Sequence, residues 1–349
     1  MIRHGNHRSS SPQAPNLPKR RSVSAIAATL FAGIAGAGML AAPLQAVAQD
    51  RYPSKPIKVA LGFSAGGGTD AIARYIVKHM SETLGVSVLI DNKPGANGNI
   101  AAESVAKAPA DGYTLLYNTS ALASSPALYG TRLNYDVSKD LIPIGRTVDV
   151  PIILVVPANS PFNTAAELVA HTKANPQKLN YGSAGNGNVT HLAALSYEAA
   201  VGVKGTHVPY KGEAPAIADL IAGHIDYYFS TSPGAIPSIK GNRLKALAVA
   251  SLKRLEPLPE VPTMNETIAK GLELSAWSGM MAPTGTPPDV IAKLNDALVK
   301  ALHDKGVLEY FANQSAQATP STPAEYGTFL KKEMESLGKV IKDSGLKIE

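Results

Sequence analysis

The sequence predicts an α/β protein of two lobes, two mostly parallel sheets flanked by helices with a ligand cleft between the lobes. Three observations lead there. Short apolar, β-branched runs alternate with segments of helical period, the rhythm of a parallel sheet covered by helices. The rhythm pauses at an extended stretch bracketed by Pro143, Pro151 and Pro157 and then starts again, which suits a crossing between two units. Two distant segments, "IKVALGFSAGGGTDAIARYI" and "KLNYGSAGNGNVTHLAALSY", share one design of strand, small-residue turn and helix.

The elements follow in chain order. Residues 1–48 read as an export signal: basic Lys19-Arg20-Arg21, an apolar Ala/Gly-rich stretch from Val23 to Leu40, then Ala46-Val47-Ala48 as a small-residue cleavage site. Cleavage is expected near Ala48, in a protein bound for the periplasm. The paired arginines leave the general and twin-arginine export routes both open. Positions 1–48 hold five of the 33 basic residues and none of the 27 acidic ones, which leaves 28 against 27. The basic balance therefore belongs to the leader, and no nucleic-acid partner is expected.

The first part of lobe 1, residues 49–150, opens with the strand "IKVALGF" and a helix over Asp70–Thr83. "VSVLID" leads to a helix beginning near Asn99, and "YTLLYN" follows the turn pair Asp111-Gly112. Lobe 2, residues 151–272, carries helices over Thr164–Lys173, Val189–Ala200 and Pro215–Ala222 among the strands "KLNYGS", "THVPY", "IDYYFS" and "LKALAVA". Residues 273–349 hold a strand, a Pro-rich turn and two or three helices. That is too few strands for a third domain, so this region is expected to return to lobe 1.

With 349 residues, 45% hydrophobic and 17% charged, the chain can fill two ordinary domains of about 100 to 200 residues each. Cysteine is absent, which removes thiol nucleophiles, Cys-ligated metals and disulfides. No H-E-x-x-H or EF-hand spacing occurs. The sequence thus asks for no metal and no cofactor, and assigns no catalytic residue.

The turn after the first strand fits three templates. Gly62-Phe63-Ser64-Ala65-Gly66 matches the G-x-S-x-G elbow of a serine hydrolase. Yet Ser64 follows the first strand of the mature chain, with no room upstream for the oxyanion loop. His191, one of the scattered histidines downstream, lies inside a helix pattern and reads as a structural residue. Gly66 to Ala71, with Asp91 about 20 residues on, matches a dinucleotide fingerprint, and an exported NAD(P)-dependent oxidoreductase is the alternative function. The third template needs no chemistry. Unblocked N–H groups at a helix N-terminus hold an anion, worth about 0.3 to 1 kcal/mol at an exposed site. One such cradle in each lobe suits a ligand held between them.

The segments "YPSKPIKVALGFSAGGGTDAIAR", "DNKPGANGNIAAESVAKAPADGYTLLY", "YGSAGNGNVTHLAAL", "VPYKGEAPAIADLIAGHID" and "SGMMAPTGTPPDVIAKLN" occur in this order. Together the mature chain resembles the Bug, or TctC-like, family, the extracytoplasmic solute receptors of tripartite tricarboxylate transporters. The resemblance implies a periplasmic-binding-protein-like architecture with no enzymatic activity. It implies closure on a small carboxylate, held by backbone N–H groups and hydroxyls, and delivery to membrane permease subunits or to a sensor partner. Carried over by position, the first cradle is Ser64, Gly66, Gly67, Gly68, Thr69 and Asp70, and the second is Ser183, Gly185, Gly187 and Asn188. Asn118, Thr119, Ser120, Tyr210 and Lys211 supply further walls, and Phe63, Tyr117, Tyr210 and Phe229 are the aromatic residues nearest them. Asp70 has two readings, a structural cap at the helix start or an acceptor for a ligand amine. The chain departs from the family pattern in Ser64-Ala65, where a proline pair often stands, in Asn188, where serine is usual, and in Glu213, where a small residue is common. A Glu213 that points into the cleft would disfavour a second ligand carboxylate or favour an amine.

Overall fold

The computed structural model describes residues 52–344 and 346; the expected export signal lies outside the described residues. The chain first runs β1 (Ile57–Leu61), α1 (Gly68–Leu84), β2 (Val88–Asn92), α2 (Asn99–Ala106), β3 (Thr114–Thr119), α3 (Ala121–Tyr129), α4 (Val137–Asp140) and the long strand β4 (Leu141–Pro157). It continues with α5 (Ala165–Ala174), β5 (Asn180–Ser183), α6 (Val189–Val201), β6 (Thr206–Pro209), α7 (Glu213–Ala222), β7 (Tyr227–Thr231), α8 (Ser232–Lys240), β8 (Leu244–Val249) and α9 (Met264–Thr267). It ends with β9 (Ser275–Pro283), α10 (Pro288–His303), α11 (Lys305–Asn313), β10 (Gln317–Ala318) and α12 (Pro323–Ser344).

The strands make two half-sheets that share β4. In the first, β1 pairs in parallel with β2 and β3, and β9 inserts antiparallel between β3 and the Leu141–Pro151 part of β4. In the second, β5 pairs in parallel with β6 and β7, while the Ile152–Pro157 part of β4 runs antiparallel between β7 and β8. The two orders, β2-β1-β3 and β6-β5-β7, are equivalent. The shared design of the two glycine-rich segments is therefore a repeat of topology: β1 and β5 are the central parallel strands, each feeding a turn and a helix. The parallel pairs are those that the local βαβ alternation specifies. The antiparallel seam comes from β9, whose partners lie more than a hundred residues back in the chain.

Local chemistry fixes the ends of these elements. α1 buries Ile72, Ala73, Ile76, Val77, Met80 and Leu84 on one face and stops at Gly85, whose φ of 71° a side chain would resist. α6 starts at Asn188, whose side chain accepts from the Thr190 N–H, and stops at Gly202. In β4, Ile152 through Val156 are fully buried, each side chain contributing about 1.5–3 kcal/mol. One continuous apolar core runs through β4 from Ile57, Ile76 and Met80 to Tyr197, Tyr227 and Phe229.

Candidate functional site

The ends of β1, β3, β5 and β7 meet around a cavity where the two half-sheets face each other. The β1–α1 turn supplies Phe63, Ser64, Gly67, Gly68, Thr69 and Asp70, and β3 ends there on Thr119. Across the cavity stand Ala184 and Asn188 from the β5–α6 turn, Glu213 at the start of α7 and Thr231 at the end of β7. Val148 and Val150 of β4, with Ala276 and Ser278 of β9, make the floor. This is the crevice beyond the carboxyl ends of the strands, where open α/β sheets bind ligands. It is tight, with room for on the order of two waters.

Four hydrogen bonds hold its sides together. Gly68 N–H donates to Glu213 Oε2 (3.1 Å), Ser64 N–H to the Lys211 carbonyl (3.2 Å), Asn188 Nδ2 to Asn97 Oδ1 (3.3 Å) and Ser124 Oγ to the Gly187 carbonyl (3.2 Å). The backbones touch here. A Cβ on Gly68 would lie 2.7 Å from the Gly234 nitrogen, and one on Gly212 would lie 2.4 Å from Ser64 Oγ. The conformation is closed.

Two carboxylates border the cavity. Asp70 accepts from the Gly66 N–H (3.0 Å), Arg74 Nε (2.9 Å) and Asn92 Nδ2 (2.9 Å). Burial pushes its pKa up, but Arg74, Gly66 and Asn92 outweigh that and hold it below the ordinary carboxylate range. Three donors from its own lobe thus hold Asp70 in place at the start of α1. Glu213 is 6% exposed, and burial pushes its pKa up against donors from Ser230, Thr231 and Gly68. Behind the second turn, His191 and His207 stack with ring centres 3.8 Å apart. Burial pushes the first down to about 3, with help from its neighbour, and the second to about 4. His191 Nδ1 accepts from the Gly187 N–H at 3.1 Å, and Ser183 Oγ lies 2.6 Å from His207 Nε2. The histidines thus brace the turn as neutral rings.

Phe63, Ser64, Gly67, Gly68, Thr69, Asp70, Thr119 and Asn188 come together at the inner cavity. Tyr210, Lys211 and Gly185 border a more open outer groove, and the Tyr210 hydroxyl is tied to Asp219 at 2.7 Å. The others lie apart. Asn118 exchanges hydrogen bonds with the Tyr326 hydroxyl below the cleft, and Ser183 faces His207. Ser120 and Gly187 border a separate cavity beside Trp277, Glu333 and Leu337. Gly66 lies on the exposed side of its turn, at φ 83°. Tyr117 and Phe229 are fully buried core residues. The β4 and β9 floor was missed, because nothing local marks which hydrophobic residues of a strand will face a cleft. Thr231 had a signal, its place at the end of a strand topologically equivalent to β3.

The enzyme readings of the glycine turn find little here. Ser64 Oγ is buried and, among the described residues, no base is hydrogen-bonded to it. Gly68 N–H already donates to Glu213, and Asp91 pairs with Lys93 at 3.6 Å on the surface.

The sequence profile described as the tripartite tricarboxylate transporter family receptor matches residues 72–346. A relative from Pseudomonas sp. (strain P51), the UPF0065 protein in the tcbD-tcbE intergenic region, is 37% identical over 336 residues, 96% of this chain and 97% of that protein. The solved structure of the periplasmic binding protein BugD is similar at 34% identity with a TM-score of 0.82, covering 85% of this chain and 100% of that one. The structure of R. palustris Rpa4515 with adipate is similar at 32% identity with a TM-score of 0.82, covering 85% of this chain and 99% of that one. Matches over nearly the whole described chain, in sequence and in fold, leave one conclusion: the chain belongs to the TctC, or Bug, family of tripartite tricarboxylate transporter receptors.

Proposed function

We propose that this protein is an extracytoplasmic receptor that closes two lobes on a small organic carboxylate and presents it to the permease of a tripartite transporter. The carrying observation is the pair of helix N-termini, α1 and α6, that face one closed cavity from equivalent strand ends. Gly68 N–H at α1 and Thr190 N–H at α6 are already taken by Glu213 and Asn188, so the N–H groups proposed for the ligand are those of Thr69 and Asp70 at α1 and Val189 at α6, at helix ends that favour negative charge. Ser64 Oγ, buried and unpartnered at the wall, is a further donor. Rpa4515, whose structure holds adipate, supports a carboxylate as the ligand class.

The proposed lobe boundaries at 150/151 and 272/273 are supported by the passage of β4 from one half-sheet to the other and by the return of the chain to the first through β9. Two crossings at one edge of the cleft suit hinge closure. Phe63, Ser64, Gly67, Gly68, Thr69, Thr119 and Asn188 are the proposed ligand contacts, with Tyr210 and Lys211 at the mouth. A leader cleaved near Ala48 would deliver the receptor to the periplasm, with the permease as its proposed membrane partner.

A thermal-shift screen against mono-, di- and tricarboxylates, amino acids and nicotinamide cofactors tests the reading. A carboxylate at 100 times its Kd should stabilise the protein by about 2.7 kcal/mol. Stabilisation by a cofactor and by no carboxylate would overturn it.

A further inference from the structure

The inner cavity already contains a carboxylate, supplied by the protein itself. Glu213 is the first residue of α7, and its side chain reaches out of one lobe to the N-terminus of α1 in the other. Oε1 accepts from the Thr231 N–H (2.7 Å) and Ser230 Oγ (2.8 Å), and Oε2 from the Gly68 N–H (3.1 Å) and Thr231 Oγ1 (2.8 Å). Both oxygens are thus saturated by donors, two of them backbone groups at the starts of α1 and α8. Among the described residues Glu213 has no ion-pair partner. The cradle is shaped to it: a Cβ on Gly234 would lie 2.3 Å from the Glu213 carboxyl carbon, and one on Gly68 2.9 Å from Oε2. Only glycine at these two positions lets the group in.

The rest of the lining points the same way. Asp70 and Glu213 border the inner cavity, and no Lys, Arg or His does; the guanidinium of Arg74 is spent on Asp70 and Asn92. The unused donor at the wall is Ser64 Oγ, beside the α1 N–H groups that follow Gly68. Val148, Val150 and Ala276 also line it. The lining thus combines hydrogen-bond donors, apolar side chains and two carboxylates, and Lys211 borders only the outer groove.

We infer that Glu213 is a specificity residue, a tethered carboxylate that fills one of the two anion positions between the lobes and so restricts the receptor to compact monocarboxylates. The inference rests on the carboxylate-receptor reading. A ligand bearing a second carboxylate would have to expel Glu213 from its four donors or lie against it, like charge to like charge. A monoacid meets neither cost, and its apolar end matches the hinge-strand floor.

The test compares acids of one skeleton with the secreted full-length protein: butanoate against succinate, and hexanoate against adipate, by calorimetry. The wild type should bind the monoacid of each pair at least tenfold more tightly than the diacid. Glu213→Ser, which empties the cradle, should shift that ratio toward the diacid by tenfold or more. Glu213→Gln, which keeps the cradle filled but cannot ionise, should shift it less. A wild type that binds the diacid as well as the monoacid overturns the inference, and needs no variant to fold. An unchanged ratio in a folded Ser variant overturns it too. Failure of every carboxylate to bind either protein is a different result, and removes the receptor reading beneath it.

Discussion

His191 shows how a single residue near the cleft can be structural and still set a property of the whole protein. Its ring faces His207, Tyr181 and the Gly187 N–H, all of which suit the neutral form. Because the folded-state values, about 3 for His191 and about 4 for His207, lie below the unfolded value near 6.5, the unfolded chain takes up protons first as pH falls. Stability from these rings is complete above about pH 6.5 and erodes from there toward pH 4 and below. For His191 alone the slope is at most about 1.4 kcal/mol per pH unit. Melting curves across that window should show the decline. His191→Asn, which keeps an acceptor for Gly187 and removes one of the two titrations, should make it shallower; an equally steep decline in the variant would count against this account. His191 inside a helical pattern was legible as structural in the sequence. Its partner was not, since His207 lies on β6 and only the β5–β6 pairing brings the two rings face to face. Glu213 is the same lesson in another form. Its departure from the family pattern was visible, but its role depends on Gly68, 145 residues away.

At the scale of elements, the strand–turn–helix units were the most legible part of the molecule. Their signals are local: apolar strand, glycine turn, amphipathic helix. The helix expected over 70–83 spans Gly68–Leu84, and the one expected over 189–200 spans Val189–Val201. The meeting of α1 and α7 across the cleft rests on Gly212, whose φ of 138° admits no ordinary side chain and whose Cα faces Ser64. Gly212→Ala should therefore hold the lobes apart. Backbone strain of about 1–3 kcal/mol and a 2.4 Å approach to Ser64 Oγ should appear as a larger radius of gyration with ligand present. Affinity should fall about tenfold or more, some 1.4 kcal/mol. A variant that closes and binds like the wild type would show that the contact is incidental.

At the scale of the whole molecule, the shared strand matters most. β4 gives its first part to one half-sheet and its second to the other, and the apolar core is continuous along it. Neither lobe can lose β4 and keep its sheet. Calorimetry of the protein without ligand should show one cooperative unfolding transition, whereas two resolved transitions would mean that the lobes unfold independently. Two lobes were legible in the sequence, from the restart of the alternation after Pro157. The mixed character of the sheet was not, because the insertion of β9 between β3 and β4 is a long-range event that no local period encodes. The pairing of Trp277 Nε1 with Glu333 at 2.7 Å, which ties α12 to β9, is equally non-local.

The strand order also decides how the molecule avoids sticking to itself. A sheet edge offers unpaired N–H and C=O groups to any passing chain. β6, one of the two outer strands of the second half-sheet with β8, is four residues long and ends on Pro209, which cannot donate to a new neighbour. β2, the outer strand of the first, presents Leu89 at 54% exposure but closes with Asp91 and Asn92 beside Lys93. β2 and β6 thus leave short strand-pairing surfaces, and the exposed Leu89 stands near charge.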